Sequence, residues 1–487
     1  AEMLAICLSL RQAGGKILYD PDVLDRSAAE PEISAELRAR NEAWLKRRFA
    51  GILSRQPLSG TSLMRARSAC GAPAVLFLCE RLPHVVLGTP VLRHRDMMIG
   101  LRELGYQVTV FPLDGSLHDC VATALDFPPE IELMDDCDLS ELSDFLQERT
   151  GCFDYIWIGG MKTLQRVAPV LQQYPQSLPG LGLVADVHGS HARETHNRRR
   201  VGTVNDRELL LDDLEQDTDQ VWLTQAVVVG TEAEMADLEV LGLTNLRGLG
   251  APPLPTTLPP PFGERSGILL VLPVLGSGDA VHDGLHWFIH EVLARLDRGL
   301  PRDATILLAG HKAAGVDLSA FTRYRRLEAF PEETDLAALY RSRRILVEPT
   351  RVLPAIPREI LDAAAAGLPA VLSETVCETL GWEDGKECLS GGFCNPERFA
   401  QAVIRLYTDM DLWNTISHGA QTRIEEDASR SGFHDGLREV LSIAAGTTPL
   451  MAPTVTPRAL RFSETAQNLA PAPIRLLQPR RFTVDGD

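Results

Sequence analysis

The sequence predicts an α/β protein built of two doubly wound, Rossmann-like halves that face one another across a cleft. Three observations carry this. From residue 73 onward short apolar runs alternate with longer amphipathic stretches, the βαβ signature of a parallel sheet. A proline-rich stretch, Ala251 to Phe262, interrupts that alternation midway, and such composition forms a stiff extended connector rather than core. The chain of 487 residues also exceeds one core, since single cores stop growing at about 250 to 300 residues.

Taken in order, residues 1–60 read as a short, charged helical segment, apart from a strand-like run at Lys16 to Tyr19 closed by Asp20-Pro21. It carries too little apolar sequence for an independent core. The chain opens on Ala1 and runs at once into helix-like sequence, as a truncated start within a longer protein would. The first half, 73–250, predicts strands at Ala74–Cys79, Gln107–Phe111, Tyr155–Ile158, Leu181–Ala185 and Ala226–Val229. Helices are expected through Leu101 to Gly105 and over Leu139–Glu148. Residues 251–266 are the expected linker. The second half, 267–445, predicts strands at Gly267–Leu272, Thr305–Leu308, Ile345–Val347 and Ala370–Leu372, with helices over Val281–Leu296, Asp335–Tyr340 and Pro357–Ala366. Helices from Pro396 and Leu412 close it, and the last of them, near Trp413 to Leu441, should lie back toward the first half. Residues 446–487 have no periodicity and read as an extended tail.

Composition narrows the function. A hydrophobic content of 45% with 23% charged residues is that of an ordinary soluble protein, without a run of about 18 apolar residues such as a membrane span requires. The 66 acidic against 48 basic side chains give a formal charge of -18, which argues against nucleic acid as a partner. Nine scattered cysteines without a C-x-x-C pair suggest neither a disulfide framework nor a zinc site, and point to a reducing cytosol.

Two facing sheets of this kind put the carboxyl ends of both strand sets around one crevice, the usual ligand position for the topology. Helix N-termini there can receive a diphosphate without a metal ion. Asp135, Asp136 and Asp138 supply three acids in four residues, but they precede a helix and read as its cap. Asp186 and His188 follow a buried-type strand and should project to the cleft mouth, where a histidine can orient or deprotonate a hydroxyl, or be a satisfied structural side chain.

Over this length the sequence resembles bacterial GT-B glycosyltransferases of the family-four type, including those encoded with polysaccharide and O-antigen assembly genes. The residues that carry the likeness are Glu80-Arg81-Leu82-Pro83-His84, Leu87-Gly88-Thr89-Pro90 with Arg93, Gly105-Tyr106-Gln107-Val108-Thr109, Asp154-Tyr155-Ile156-Trp157, and Asp186-Val187-His188 followed by Arg193-Glu194. In the second half they are Trp287-Phe288, Val347-Glu348-Pro349-Thr350, Ala363-Ala364-Ala365-Ala366-Gly367-Leu368-Pro369 and Leu380-Gly381-Trp382 with Asp384-Gly385.

The resemblance implies a first, acceptor half and a second, nucleotide-sugar donor half. It implies Asp186 and His188 as the catalytic pair. Gly88 and Thr89 would approach the acceptor through backbone N–H groups, or form a simple turn. Arg93 would hold an acceptor phosphate or carboxylate, or be a surface arginine. Arg193 and Glu194 would contact the acceptor, or pair with one another to hold their loop.

On the donor side Asp362 matches the family's glutamate that accepts the ribose hydroxyls, on a shorter arm. Glu359 stands where the family has the lysine that faces the diphosphate, and Pro354 and Ala355 stand where it has glutamate and glycine. The diphosphate would then turn to Arg358, or to His311 and Lys312. Residues 1–60 resemble the closing segment of a GT-A family-two glycosyltransferase, through Glu2, Cys7 to Gly15, Leu18 to Pro21, and Arg40-Asn41 with Trp44, Arg47 and Phe49. An upstream GT-A domain in a parent protein would follow.

The expected activity is therefore hexosyl-type transfer from a nucleotide-sugar co-substrate to a glycan or lipid-linked acceptor, with retention and without metal or other cofactor. The implied location is cytoplasmic, with peripheral association at the inner face of the membrane. The eroded donor motif leaves a second expectation open, a catalytically degenerate GT-B module that binds glycan or scaffolds another transferase.

Overall fold

The computed structural model describes residues 2–12, 34–54, 72–83, 91–115, 127–128, 130–173, 180–202, 207–250, 252, 258–271, 280–310, 324, 327–329, 335–353, 356–427 and 430–446. Gly88, Thr89, His311, Lys312, Pro354 and Ala355 lie outside these, as do the strand-like run at Lys16 to Tyr19 and the tail.

Among the described residues two separate all-parallel sheets are present. The first contains β1 (Ala74–Cys79), β2 (Gln107–Pro112), β3 (Glu132–Leu133), β4 (Tyr155–Gly159), β5 (Gly182–Asp186), β6 (Ala226–Val229) and β7 (Leu246–Gly248), in the order β3-β2-β1-β4-β5-β6-β7. The second contains β8 (Ile268–Val271), β9 (Ile306–Ala309), β10 (Leu327–Ala329), β11 (Ile345–Glu348), β12 (Ala370–Leu372) and β13 (Leu389–Ser390), in the order β10-β9-β8-β11-β12-β13. Strand order reverses at β1/β4 in one sheet and at β8/β11 in the other, the two topological switch points where such sheets open a crevice.

The central strands are apolar along their length because helices cover both faces, so neither side can be polar. β1 is buried at every residue. On one face of the first sheet, Leu76, Ile156, Ile158 and Val227 pack with Leu164 and Val167 of a helix over Met161–Gln173. On the other face, Phe77, Trp157, Val184 and Val228 meet Met97 and Leu101 of a helix over Val91–Glu103.

Among the described residues the α-helices longer than four residues are α1 (Glu2–Gln12), α2 (Ala35–Arg48), α3 (Val91–Glu103), α4 (Leu142–Glu148), α5 (Met161–Gln173), α6 (His191–Val201), α7 (Arg207–Asp217) and α8 (Glu232–Val240). In the second half come α9 (Ala280–Trp287, continued by a π turn over Phe288–Val292), α10 (Leu336–Ser342), α11 (Arg358–Ala365), α12 (Glu374–Leu380), α13 (Pro396–Thr408), α14 (Met410–Asp427) and α15 (Arg430–Gly446). The acidic cluster does cap its helix: Asp138 accepts from the N–H of Ser140 at 2.7 Å, and Glu141 closes the capping box.

The last helix returns to the first half. Phe433, Leu437, Val440 and Leu441 of α15 join the core around Val75 and Val184. Each such fully buried aliphatic side chain is worth about 1.5–3 kcal/mol. Trp413, expected to lie back as well, does not: it is buried in the second half with Phe399 and Ile416, because α14 packs on α11 and α13. At the N-terminus Leu8 of α1 packs with Leu45 and Phe49 in a small cluster of its own.

Candidate active site

The geometry starts at the end of β5. Asp186 closes that strand and is almost fully buried. Arg93, on the first turn of α3, donates to both of its oxygens, through Nε at 3.0 Å and Nη2 at 3.4 Å, and its Nη1 donates to the carbonyl of Leu249 at 2.5 Å. His94 adds a contact at 3.6 Å. Burial alone would push the Asp186 carboxyl up, but the Arg93 guanidinium, with His94 and His188, outweighs it and holds it well below the ordinary carboxylate range. Arg93 is thus neither an acceptor-facing fork nor a surface arginine: its charge is spent inside the half on Asp186.

His188 follows two residues later and is also buried. Its Nδ1 lies 3.1 Å from both carboxylate oxygens of Glu234. Glu234 further accepts from the backbone N–H groups of Gly189 at 3.2 Å, Gly230 at 2.9 Å and Thr231 at 3.1 Å. Burial opposes the charge on Glu234, yet His188, Arg193 and these donors hold its pKa down to about 2. The sequence signal was legible: Thr231 and Glu234 form a capping box at the start of α8, and that box fixes the carboxylate against the ring. Gly230 permits the approach, since a Cβ there would fall 2.2 Å from His188 Nδ1.

Arg193 and Glu194 do not pair with one another. Arg193 pairs with Asp237 of α8, while Glu194 pairs with Arg198 one turn along α6 at 2.7 Å. Adjacent helix positions point about 100° apart, so the two side chains leave α6 on different faces.

The second half contributes α11 and the end of β11. Arg358 contacts Asp96 of α3, lies 3.3 Å from Asp362 and donates to the Pro252 carbonyl at 2.8 Å. Arg93 and Asp96 sit three residues apart on α3, hence on one face. One turn of that helix therefore joins Asp186 of the first half to Arg358 and Asp362 of the second. The halves also meet where Asn197 of α6 donates to the Leu353 carbonyl at 3.2 Å and where Arg200 pairs with Glu378 at 2.6 Å.

Glu359 turns inward and is buried, close enough to Tyr340 and Glu348 for its charge to act on both. Burial pushes Glu348 up to about 7, against the hydrogen bond that its Oε1 accepts from the Thr350 N–H at 3.0 Å, and Glu359 adds to the rise. Tyr340 is raised by burial and by the charges of Glu359 and Asp362. Gly284 lets α9 approach this strand end, since a Cβ would fall 2.7 Å from the Thr350 Cα. Among the described residues no group of three or more His, Cys, Asp or Glu is placed to hold a metal ion, and no helix is long and apolar enough to cross a membrane.

The structure thus links Asp186, through Arg93 and Asp96 of α3, to Arg358 and Asp362 of the second half, and sets His188 against Glu234 within the first. Glu234, His94 and Glu348 are the neighbours that sequence reasoning did not name as site residues.

Residues 271–409 match the family model described as glycosyl transferases group 1. No curated protein sequence matches the chain. Among solved structures, a sucrose-phosphate synthase from Thermosynechococcus elongatus is 13% identical, covering 76% of this chain and 98% of that one, with a TM-score of 0.56. Anabaena HepE in complex with UDP-glucose is 15% identical, covering 76% and 99%, also at 0.56. A glycosyltransferase from Rickettsia africae is 14% identical, covering 77% and 98%, at 0.52. These likenesses establish the fold as GT-B.

Proposed function

We propose that the protein is a glycosyltransferase that moves a hexosyl group from a nucleotide-sugar donor to a glycan or lipid-linked acceptor. The observation that carries this reading is the His188–Glu234 pair just beyond the end of β5, at the carboxyl ends of the first sheet's strands. A carboxylate that accepts from Nδ1 fixes the tautomer and leaves Nε2 to accept from a substrate hydroxyl. Asp186 orients rather than reacts: held by Arg93, it accepts from the His188 N–H at 3.3 Å and so fixes the backbone that carries the histidine. The family-model match over 271–409 supports the second half as the donor side, and the UDP-glucose in the Anabaena relative makes a uridine nucleotide-sugar the first donor to try.

In this reading 73–250 binds the acceptor, 251–266 links, and 267–445 binds the donor with Asp362 toward the ribose. His311 and Lys312 would be basic partners for the diphosphate. Retention and metal independence follow the family-four resemblance, as do polysaccharide assembly, a cytoplasmic site at the inner face of the membrane, and an origin of residues 1–60 in a GT-A partner domain.

One observation favours the second reading, a degenerate module that binds glycan or scaffolds another transferase. Arg358 is already engaged by Asp96, Asp362 and Pro252, and buried Glu359 adds negative charge where the donor phosphates would lie. Two unit charges about 4 Å apart repel by about 4 kcal/mol at an effective dielectric of 20. Calorimetric titration of wild type and Glu359→Lys with UDP-glucose, UDP and GDP decides. Wild-type binding that the substitution weakens supports transfer; binding that appears only in the variant supports the degenerate module.

A further inference from the structure

His282, His286 and His290 stand four residues apart along α9 and its π turn, so they follow one side of the helix. The helix is held in place by Leu285, Phe288, Ile289 and Val292, all buried in the core of the second half, while His286 and His290 are exposed. The ring centres of His282 and His286 are 6.3 Å apart, but those of His286 and His290 only 4.2 Å. The spacing in sequence is the same, and the closer pair is the one that reaches into the π turn over Phe288–Val292. In an α-helix residues i and i+4 are offset by about 40° around the axis. A π turn closes i→i+5 bonds and so turns less per residue, which brings His290 more nearly in line with His286; such single turns recur at functional sites.

That separation suits a shared metal ion. An imidazole nitrogen binds a first-row ion at about 2.0–2.1 Å, which puts the ion about 3.2 Å from the ring centre, so two rings at about 90° on one ion have centres about 4.5 Å apart. At the tetrahedral angle the centres would be about 5.2 Å apart. His286 and His290 match the right-angled arrangement, the one that square-planar and tetragonal Cu(II) and Ni(II) sites use. At exposed positions both rings can turn about the Cβ–Cγ bond to aim a nitrogen at the ion. The neighbouring acids, Asp283 and Glu291, pair with Arg351 and Arg295, so the protein supplies two nitrogens and no third ligand, in keeping with the lack of any three-ligand group among the described residues. Ligation needs a neutral ring. Burial, then the charges of His290 and His282, lower the pKa of His286 and outweigh Asp283, so the ring is neutral at pH 7.

We propose that His286 and His290 chelate one Cu(II) or Ni(II) ion across the start of the π turn, with water completing its coordination. Both ligands sit on one helix, so the ion clasps two successive turns of it. The inference does not depend on transfer at His188.

The test is calorimetric titration of the full chain at pH 7 with Ni(II), Zn(II) and Mg(II) chlorides, in wild type, His282→Gln, His286→Gln and His290→Gln. Ni(II) should bind wild type more tightly than Zn(II) does, and Mg(II) should not bind. His286→Gln and His290→Gln should each weaken Ni(II) binding at least tenfold, whereas His282→Gln should change it less than twofold, all with the circular dichroism of wild type. Ni(II) should also raise the urea midpoint of wild type and leave that of His290→Gln unchanged, because an ion that binds only the folded chain stabilises it. Ni(II) binding that survives either substitution within tenfold, that His282→Gln weakens as much, or that Zn(II) binding exceeds would overturn the proposal.

Discussion

The two halves end their central strands in opposite electrostatic states. In the first, each buried acid has a cation or a histidine against it: Asp186 with Arg93, Glu234 with His188, Asp237 with Arg193. In the second, Glu348, Glu359 and Asp362 are gathered near the start of α11, and the arginine among them, Arg358, is shared with Asp96 of the other half. One fold therefore supports a paired site and an acid-rich one. The fold fixes where the strand ends point; the side chains there decide what charge they welcome.

The comparison breaks most readily at Arg93. Arg93→Met leaves Asp186 buried with His94 and the His188 N–H, and removing one partner of a buried pair costs about 3–5 kcal/mol. Urea denaturation should show that loss; a cost below about 1 kcal/mol would mean that the pairing in the first half is not what holds its strand ends.

Glu234 and Glu348 sharpen it, because their pH dependences have opposite signs. Glu234 titrates near 2 in the fold against an ordinary 4.5, so its charged form stabilises. That contribution, on the order of 3 kcal/mol, is complete above pH 4.5 and is lost as pH falls toward 2. Glu234→Gln should therefore be less stable than wild type at pH 7, and the gap should close in acid. Glu348 titrates near 7 against the same ordinary value; its charged form is the one the fold resists. Wild type should lose stability as pH rises from 4.5 to 7, and Glu348→Gln should be more stable above pH 7 by on the order of 2 kcal/mol, with no gain below 4.5. Denaturation midpoints across pH 3 to 9 would test both, and parallel curves for the two variants would erase the contrast.

Much of the fold was legible because buried parallel strands announce themselves as apolar runs. Ala74–Cys79 and Ala370–Leu372 have the predicted bounds, whereas β3, β7, β10 and β13 (Glu-Leu, Leu-Arg-Gly, Leu-Glu-Ala and Leu-Ser) contain no apolar run to announce them. The helix α6 escaped because its sequence is so rich in charge that no apolar stripe marks it. At the site, Asp186 and His188 could be read from their place after a strand. The fate of Arg93 could not: its partner lies 93 residues away, and only the packing of α3 against β5 shows that its charge is spent internally. Glu359 was readable as a departure in type, but its inward direction depends on the phase of α11.

The smallest effect is expected where the halves touch at the surface. Arg200 of α6 pairs with Glu378 of α12, which is half exposed, and its guanidinium lies 4.7 Å from the centre of the Phe393 ring. An ion pair with one partner in solvent is worth about 0.2–1 kcal/mol, and a cation–π contact at such a site about 0.5–1 kcal/mol. Salt at 1 M shortens the screening length to about 3 Å and removes most of the first. Arg200→Met retains the aliphatic packing, so it should lower stability by about 1 kcal/mol at low salt and by less at 1 M. Nearly all the attachment of the second half to the first would then rest on buried contacts, α15 in the core of the first sheet and Asp96 against Arg358. Denaturation of wild type and variant at 0.05 and 1 M sodium chloride measures this directly. A loss above about 2 kcal/mol, insensitive to salt, would place the main joint at Arg200 and overturn the view that the decisive charges are the buried ones at the strand ends.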